Sequence, residues 1–368
     1  MKNSFPYFDV VATDMKKNIV ARILLSPFAL LYGGIISLRN IFYEAGLLKS
    51  TSFNVPIINV GNLSIGGTGK TPHIEYLIKV LSPYIDVGTL SRGYKRRSKG
   101  FRLVSQKDDA AVAGDEPLQF KRKFPHIPVA VSESRNIGIP LMLKQHPNLQ
   151  SILLDDAFQH RSVIPGLNIL LTQFNEPFFE DYLMPLGTLR EPRESYERAD
   201  IIVVTKCPDE LPDDEKEGYL SFLKPFPNQK VFFSRYKYQD PYFMFNPGTR
   251  IKLDKHSHLI LITAIAKVDY LTDYLDGITN VDNIVKFEDH HYFSDLELEQ
   301  FKKIYDNIGE ENAFFLTTEK DAMRLDLHRD FLMKNQIPVF VLPIEVEIID
   351  EPQAFEDAIK SFLIDFKV

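Results

Sequence analysis

Beyond residue 50 the chain alternates short apolar runs with stretches of helical period. Six runs, Ile57–Val60, Val87–Leu90, Val129–Val131, Ile152–Leu154, Ile169–Thr172 and Ile201–Thr205, are rich in β-branched residues and show no polar alternation. That pattern predicts strands covered on both faces, hence a parallel sheet flanked by helices. From about Asn228 to Arg250 the text changes to alternating aromatic and polar residues, VFFSRYKYQDPYFMF, which predicts an antiparallel ribbon or an interdomain connection. A smaller α/β set follows, with Leu259–Thr263, Ala313–Thr317 and Val339–Leu342 as strands. Ser294 and Glu297 make a capping box, after which Leu298, Phe301 and Tyr305 mark one helical face. Phe355, Ile359, Phe362 and Phe366 form the stripe of a last helix, free to pack back on the core. The expected organisation is α/β: an N-terminal helical segment over 1–50, a core over 51–227, a ribbon-like connection over 228–250 and a smaller C-terminal α/β domain over 251–368.

The N-terminus breaks this rhythm. Sixteen uncharged residues, ILLSPFALLYGGIISL, lie between Arg22 and Arg39. A bilayer span takes about 20 apolar residues, and Pro27 and Gly33-Gly34 interrupt this run. A cleaved signal peptide fits poorly, since Asp9 and Asp14 precede the run and no small-residue cleavage site follows clearly. Lys16, Lys17, Arg22 and Arg39 flank it, as expected of a segment lying among the headgroups of an anionic leaflet. A helix buried against the domain is the alternative.

Composition narrows the field. At 368 residues, 44% hydrophobic and 25% charged, the chain suits two folded domains. A net charge of −7 argues against a nucleic-acid partner, so an anionic ligand must meet a local basic site. Cys207 is the sole cysteine, which rules out an intrachain disulfide. No obligate protein partner is evident from the text.

The strongest chemical signal follows the first strand. Ser64-Ile65-Gly66-Gly67-Thr68-Gly69-Lys70-Thr71 reads as a phosphate loop of the P-loop NTPase kind, entering a helix at PHIEYLIKVL. Lys70 supplies charge for the β- and γ-phosphates of a nucleotide, and the Thr71 hydroxyl a ligand for Mg²⁺. The full pattern has Gly where this chain has Ser64, a change acceptable if that backbone needs no positive φ. Asp155-Asp156 close an apolar strand where a second Mg²⁺ anchor would sit. Adjacent acids there point to opposite sides, so one of the two reaches the metal.

Other motifs are weaker one by one. Ser91-Arg92-Gly93-Tyr94-Lys95-Arg96-Arg97 leaves the same sheet edge and could contact an anionic substrate or simply be a solvated basic loop. Gly114-Asp115-Glu116-Pro117 alone reads as a helix start. Gln159 and His160 follow the acid pair. Arg190 could bind phosphate and Glu191 reach a metal, or the two could form a surface ion pair. Asp289-His290-His291 suits a His–Asp general base better than zinc, because no third ligand stands at zinc spacing.

Together, NVGNLSIGGTGKTP, LSRGY, GDEP, LDDAFQHR, PLGTLREP, FEDHHYF and TTEKDAMRL resemble the tetraacyldisaccharide 4'-kinases, over residues 59–325. The resemblance implies ATP as phosphoryl donor with Mg²⁺, and the 4'-hydroxyl of an acylated disaccharide 1-phosphate as acceptor. It implies a place on the cytoplasmic face of the inner membrane, with the apolar N-terminus as the membrane-associating segment. In its terms Asp115 is the base working with His290, while Asp155, Asp156 and Arg190 serve the reaction centre. Glu191 belongs to the metal set, and Ser91, Arg92, Gly93, Tyr94, Gln159 and His160 to the acceptor. A small hydroxyl residue at Ser64 is expected in this family, and Ala157 stands where Gly is more usual. Two rivals are a P-loop kinase or ligase of a soluble small molecule, and a nucleotide switch reading its base through Val203-Val204-Thr205-Lys206. The switch lacks the aspartate expected after Lys206.

Overall fold

The structure, a computed structural model, describes residues 19–308 and 313–367. Its larger sheet has nine strands. Parallel to one another run β1 (Ile57–Asn62), β2 (Val87–Ser91), β4 (Val129–Val131), β5 (Ser151–Asp155), β6 (Leu167–Gln173), β7 (Ile201–Thr205) and β8 (Lys230–Tyr238). Antiparallel β3 (Arg102–Leu103) and β15 (Ile344–Ile348) close the two edges. The order is β15-β8-β7-β6-β1-β5-β2-β4-β3. β1, β2, β5 and β7 are buried along their whole length, as expected of strands covered on both faces.

A second sheet has six strands in the order β10-β9-β14-β13-β11-β12. Here β11 (His258–Thr263), β12 (Asn280–Lys286), β13 (Ala313–Thr318) and β14 (Val339–Leu342) are parallel, and β9 (Tyr242–Phe243) and β10 (Asn246–Arg250) form a ribbon at one edge. The exposed edge strand β12 was not expected, because its text, NVDNIVK, is mostly polar.

The connecting ribbon expected over 228–250 is divided between the sheets. VFFSRYKY is β8, a full member of the larger sheet, because Phe232 and Phe233 bury into cores on opposite faces of it. The boundary at 251 does not separate two units either. After β14 the chain returns as β15 beside β8, and the last helix drives Phe355 and Ile359 into the main core with Phe232. The two lobes are thus interleaved at β8 and β15.

Helix α1 (Ile19–Glu44) spans 26 residues, and only Ala29, Gly33 and Asn40 are buried in it. It is long and apolar enough to cross a membrane by length and composition. It lies along the protein, seated by polar contacts. The Tyr32 hydroxyl donates to the Arg190 carbonyl (2.8 Å), Arg39 donates to the Gln159 carbonyl (3.0 Å), and Arg161 to the Asn40 carbonyl (3.1 Å).

Candidate active site

The site is built at the C-terminal ends of the parallel strands, where open α/β sheets bind ligands. β1 turns through residues 63–69 into α2 (Lys70–Leu81). Gly69 takes the left-handed φ of +92° that starts this helix. A Cβ placed on Gly66 or Gly67 would meet nothing within 4 Å, so the tip of the turn offers bare backbone to open space. The floor of the loop is fixed: Asn62 Nδ2 donates to Thr68 Oγ1 (2.8 Å), and Thr205 Oγ1 to the Thr68 carbonyl (2.9 Å). Behind the loop, His73 Nδ1 lies 2.7 Å from the Gly69 carbonyl and Nε2 lies 3.1 Å from the Ser234 hydroxyl. Burial pulls the His73 imidazole down to about 4, which keeps it neutral in that latch.

Ser64 explains itself here. It carries no positive φ and forms an antiparallel bridge with Leu189. The Ile65 N–H donates to the Thr188 carbonyl (2.8 Å) and the Arg190 N–H to the Leu63 carbonyl (2.8 Å). The altered corner is an extended residue paired with the segment that carries Arg190.

At the end of β5 the two acids diverge. Asp156, at φ +49°, receives Arg190 through both terminal nitrogens (2.8 and 3.2 Å) and has Lys70 at 3.8 Å. Burial pushes this carboxyl up, but Lys70 and Arg190 outweigh it and hold Asp156 well below the usual carboxylate range. Among the described residues the Asp155 carboxylate accepts only a long bond from the Ser91 hydroxyl (3.3 Å); burial and then the charge of Asp156 push it up to about 6. The turn's left-handed residue is Asp156, so the methyl of Ala157 meets no backbone penalty. Glu191 turns to Arg198 and keeps Oε1 without a partner among the described residues.

The smaller lobe contributes His290, also left-handed at φ +60°. Its Nδ1 lies 2.8 Å from Asp115 Oδ2, joining groups 175 residues apart in sequence. Asp115 opens helix α3 (Asp115–Lys123), directly after Gly114. A Cβ on Gly114 would come within 3.2 Å of Gly93 Cα, so these two glycines let the SRGY and GDEP turns touch. That contact sets the Tyr94 ring 4.9 Å from the His290 ring. Burial raises the Asp115 carboxyl, but the His290 hydrogen bond and the Lys320 charge hold it far below its ordinary range. Beside it, burial and the charge of Asp115 push Glu116 up to about 8. Asp115, Glu116 and His290 converge within 4.8 Å, yet Lys320 and Arg324 already stand where a metal would compensate them. His291 points elsewhere, pairing with Glu297 at 3.0 Å and stacking on Phe287.

One cleft of about 980 Å³ collects these groups. The phosphate loop, Arg92 to Tyr94, both acids, Gln159, His160, Arg190, Glu191 and His290 line it, together with Tyr32, Ile36 and Arg39 of α1. Asp115 itself is 3% exposed and stands behind His290. Three expected acceptor contacts have structural partners: Ser91 bonds Asp155, Gln159 Nε2 donates to the Asn62 carbonyl (2.8 Å), and His160 Nε2 accepts from the Arg135 N–H (3.4 Å). Burial, and then the charges of Arg135, Arg39 and Arg92, pull His160 down to about 4, marking a basic corner beside α1. Arg96, by contrast, is spent on Glu133 at 2.6 Å.

A family model described as tetraacyldisaccharide-1-P 4'-kinase matches residues 21–364. The chain belongs to this family. Membership carries the activity: a kinase of lipid A assembly that transfers the γ-phosphoryl group of ATP to the 4'-hydroxyl of a tetraacyldisaccharide 1-phosphate. Relatives named tetraacyldisaccharide 4'-kinase include one from Bacteroides fragilis, 43% identical over 89% of each chain. Another, from Flavobacterium johnsoniae, is 41% identical over 94% of this chain and 98% of its own. The crystal structure of LpxK from Aquifex aeolicus in complex with ATP is similar in fold, with a TM-score of 0.71 and 32% identity over 93% of this chain and 99% of that one.

Sequence reasoning missed Lys320, Glu116, Arg135 and Arg324. Lys320 lies within TTEKDAMRL, but a lysine on the first turn of a helix gives no local sign that it faces a cleft. Arg135 and Arg324 are among the most buried side chains, a feature no linear pattern announces.

Proposed function

We propose that His290 takes the proton of the acceptor's 4'-hydroxyl while Lys70 and Arg190 hold the transferring phosphoryl group. The single observation carrying this is the His290–Asp115 contact of 2.8 Å, placed on the same cleft as the phosphate loop. A sugar hydroxyl is a poor nucleophile and needs an acceptor for its proton as the new bond forms. Asp115 is too buried to meet the sugar and has His290 in front of it. Its role is to orient the ring through Nδ1–H and to stabilise the imidazolium that forms. The direct base is therefore His290, and Asp115 acts through it. At the other end, Lys70 and the charge of Arg190, whose two terminal nitrogens grip Asp156, neutralise charge on the phosphates, where most of the rate effect of such enzymes arises.

Mg²⁺ fits the donors present. Asp155 is a buried carboxylate with one weak hydrogen bond among the described residues, and it lines the same cleft as Thr71 and Glu191, whose Oε1 has no partner among the described residues. Thr71 and Asp155 would hold the ion, with Glu191 adding its free oxygen, while Asp156 remains committed to Arg190. When bound, the ion supplies positive charge to the phosphate oxygens.

Helix α1 sets the enzyme on the cytoplasmic face of the inner membrane. Leu24, Leu30 and Leu31 are each at least 64% exposed, while Tyr32 and Arg39 on the other side touch active-site segments. A helix bound along its length in this way lies in the interface, and the acceptor's acyl chains stay in the bilayer as the sugar enters the cleft. The basic corner of Arg39, Arg92 and Arg135 suits the acceptor's own phosphate. A soluble substrate would need none of this apolar surface.

The test is phosphoryl transfer from γ-labelled ATP to a tetraacyldisaccharide 1-phosphate in detergent micelles. Loss of about 10³-fold or more in kcat for His290→Ala, with the KM for ATP within about twofold, supports the reading. Near-normal kcat in a folded His290→Ala protein would remove it.

A further inference from the structure

We propose that Lys320 is a positioning residue that holds His290 in its Nδ1–H form in the resting cleft and releases Nε2 to the acceptor hydroxyl when the sugar enters. The inference rests on the reading of His290 as proton acceptor and adds a residue to it.

Lys320 is the second residue of α4 (Glu319–Leu325), whose first turn is capped by the Thr318 hydroxyl accepting from the Asp321 N–H (3.1 Å). Its Nζ lies 3.1 Å from His290 Nε2. An ammonium has donors and no lone pair, so Nε2 must present its own lone pair and the ring hydrogen must sit on Nδ1. Asp115 selects the same arrangement from the opposite side of the ring. Two contacts, one from each lobe, thus demand one tautomer.

Charge around the ring gives Lys320 a second reason to be there. Asp115 lies at Nδ1, Glu116 at 3.8 Å and Asp289 at 3.7 Å from Nε2. Arg324 reaches Asp115 at 3.4 Å, Lys95 meets the main-chain oxygens of Asp289 and His290 and lies 6.0 Å from the Tyr94 ring centroid, and the Tyr94 ring sits tilted against the imidazole at 4.9 Å. With Lys320 removed, Asp115 and Asp289 would face the imidazole with Arg324 left on Asp115, and would draw a proton onto it. A ring already protonated cannot accept another, so a cation beside Nε2 preserves the base.

Lys320 can also step aside at little electrostatic cost. Glu116 Oε1 lies 3.0 Å and Asp289 Oδ1 3.5 Å from its Nζ, so the ammonium stays paired after leaving Nε2. The proton then passes from the 4'-hydroxyl to the vacated Nε2 as the oxygen–phosphorus bond forms and the bond to the leaving ADP oxygen breaks.

The experiment is the pH dependence of kcat/KM for the lipid acceptor in intact protein, Lys320→Gln, Lys320→Arg and His290→Gln, with the KM for ATP measured alongside. In Lys320→Gln the acid limb moves to higher pH by about one unit or more, because a nearby positive charge has gone. In Lys320→Arg it stays within about 0.3 unit of the intact protein, since the charge remains. An acid limb unmoved in Lys320→Gln overturns the proposal. If His290→Gln keeps both its activity and the limb, the proton-acceptor reading itself has failed instead. A second readout needs no Lys320 variant: nitrogen-15 spectra of the intact protein, with the His290 ring assigned by its loss in His290→Gln. An Nδ1–H ring with bare Nε2 is expected, and an Nε2–H ring would overturn the proposal.

Discussion

The two ends of the cleft are made differently. The phosphate end comes from one sheet: β1, its loop and α2, with Asp155 and Asp156 from the neighbouring β5. Its parts are laced together by the backbone, through Leu63, Ile65, Thr188 and Arg190. The proton end is shared between lobes, with Asp115 on α3 of the core and His290 and Lys320 on the smaller lobe. Helix packing of α3 against α4 brings them together, reinforced by Lys123 between Glu75 and Glu319 (2.7 Å each) and by Arg122 with Asp326 (2.7 Å). The first region is built within one sheet, whereas the second needs residues from both lobes.

Changes at the phosphate end test this contrast first. Arg190→Lys keeps the charge and loses the two-pronged grip on Asp156, and a fall of about 10²-fold in kcat/KM for ATP is expected in the labelled-ATP assay. A change under threefold would mean that Arg190 acts only as a distant charge.

Next in size is the latch behind the loop. His73 is pulled from 6.5 to about 4 by burial, so the unfolded chain binds a proton in that window and the folded chain does not. Its contribution is present above pH 6.5 and is lost as pH falls towards 4. Chemical denaturation should show the intact protein losing on the order of 3 kcal/mol more than His73→Gln across that window. Equal losses would place the acid sensitivity elsewhere, at the docked lobes.

Smaller still, Tyr32→Phe removes the hydroxyl that holds the Arg190 carbonyl. A fall of about threefold to tenfold in kcat is expected on lipid vesicles. No fall would detach α1 from the phosphate end. Least of all, Ser64→Gly should leave transfer within about twofold, because position 64 is extended and needs no glycine.

The same contrast explains what could be read from the text. Strands β1, β2, β4, β5, β6 and β7 were legible because their apolar runs report burial on both faces. The phosphate loop was legible because its working atoms are mostly backbone, fixed by neighbouring glycines. β8 was misread as ribbon, since aromatic–polar alternation looks the same in a connection and in a sheet strand whose Phe232 and Phe233 serve two cores. The proton end was beyond local reading. Asp115 looked like a helix start; Asp289-His290-His291 suggested a general base by pattern, but its pairing with Asp115 came only through the family resemblance. Lys320 and Arg324 lie within TTEKDAMRL, but nothing local in that stretch tells that they meet groups of the other lobe.

The central claim is that Asp115 and His290 work as one unit across the lobe boundary. A double-mutant cycle on kcat, with Asp115→Asn, His290→Ala and the pair, tests it most directly. The double variant should be about as slow as the slower single variant, because Asp115 acts through the ring it orients. If the two losses multiply, Asp115 works on the acceptor independently of His290, and the shared proton end described here is wrong.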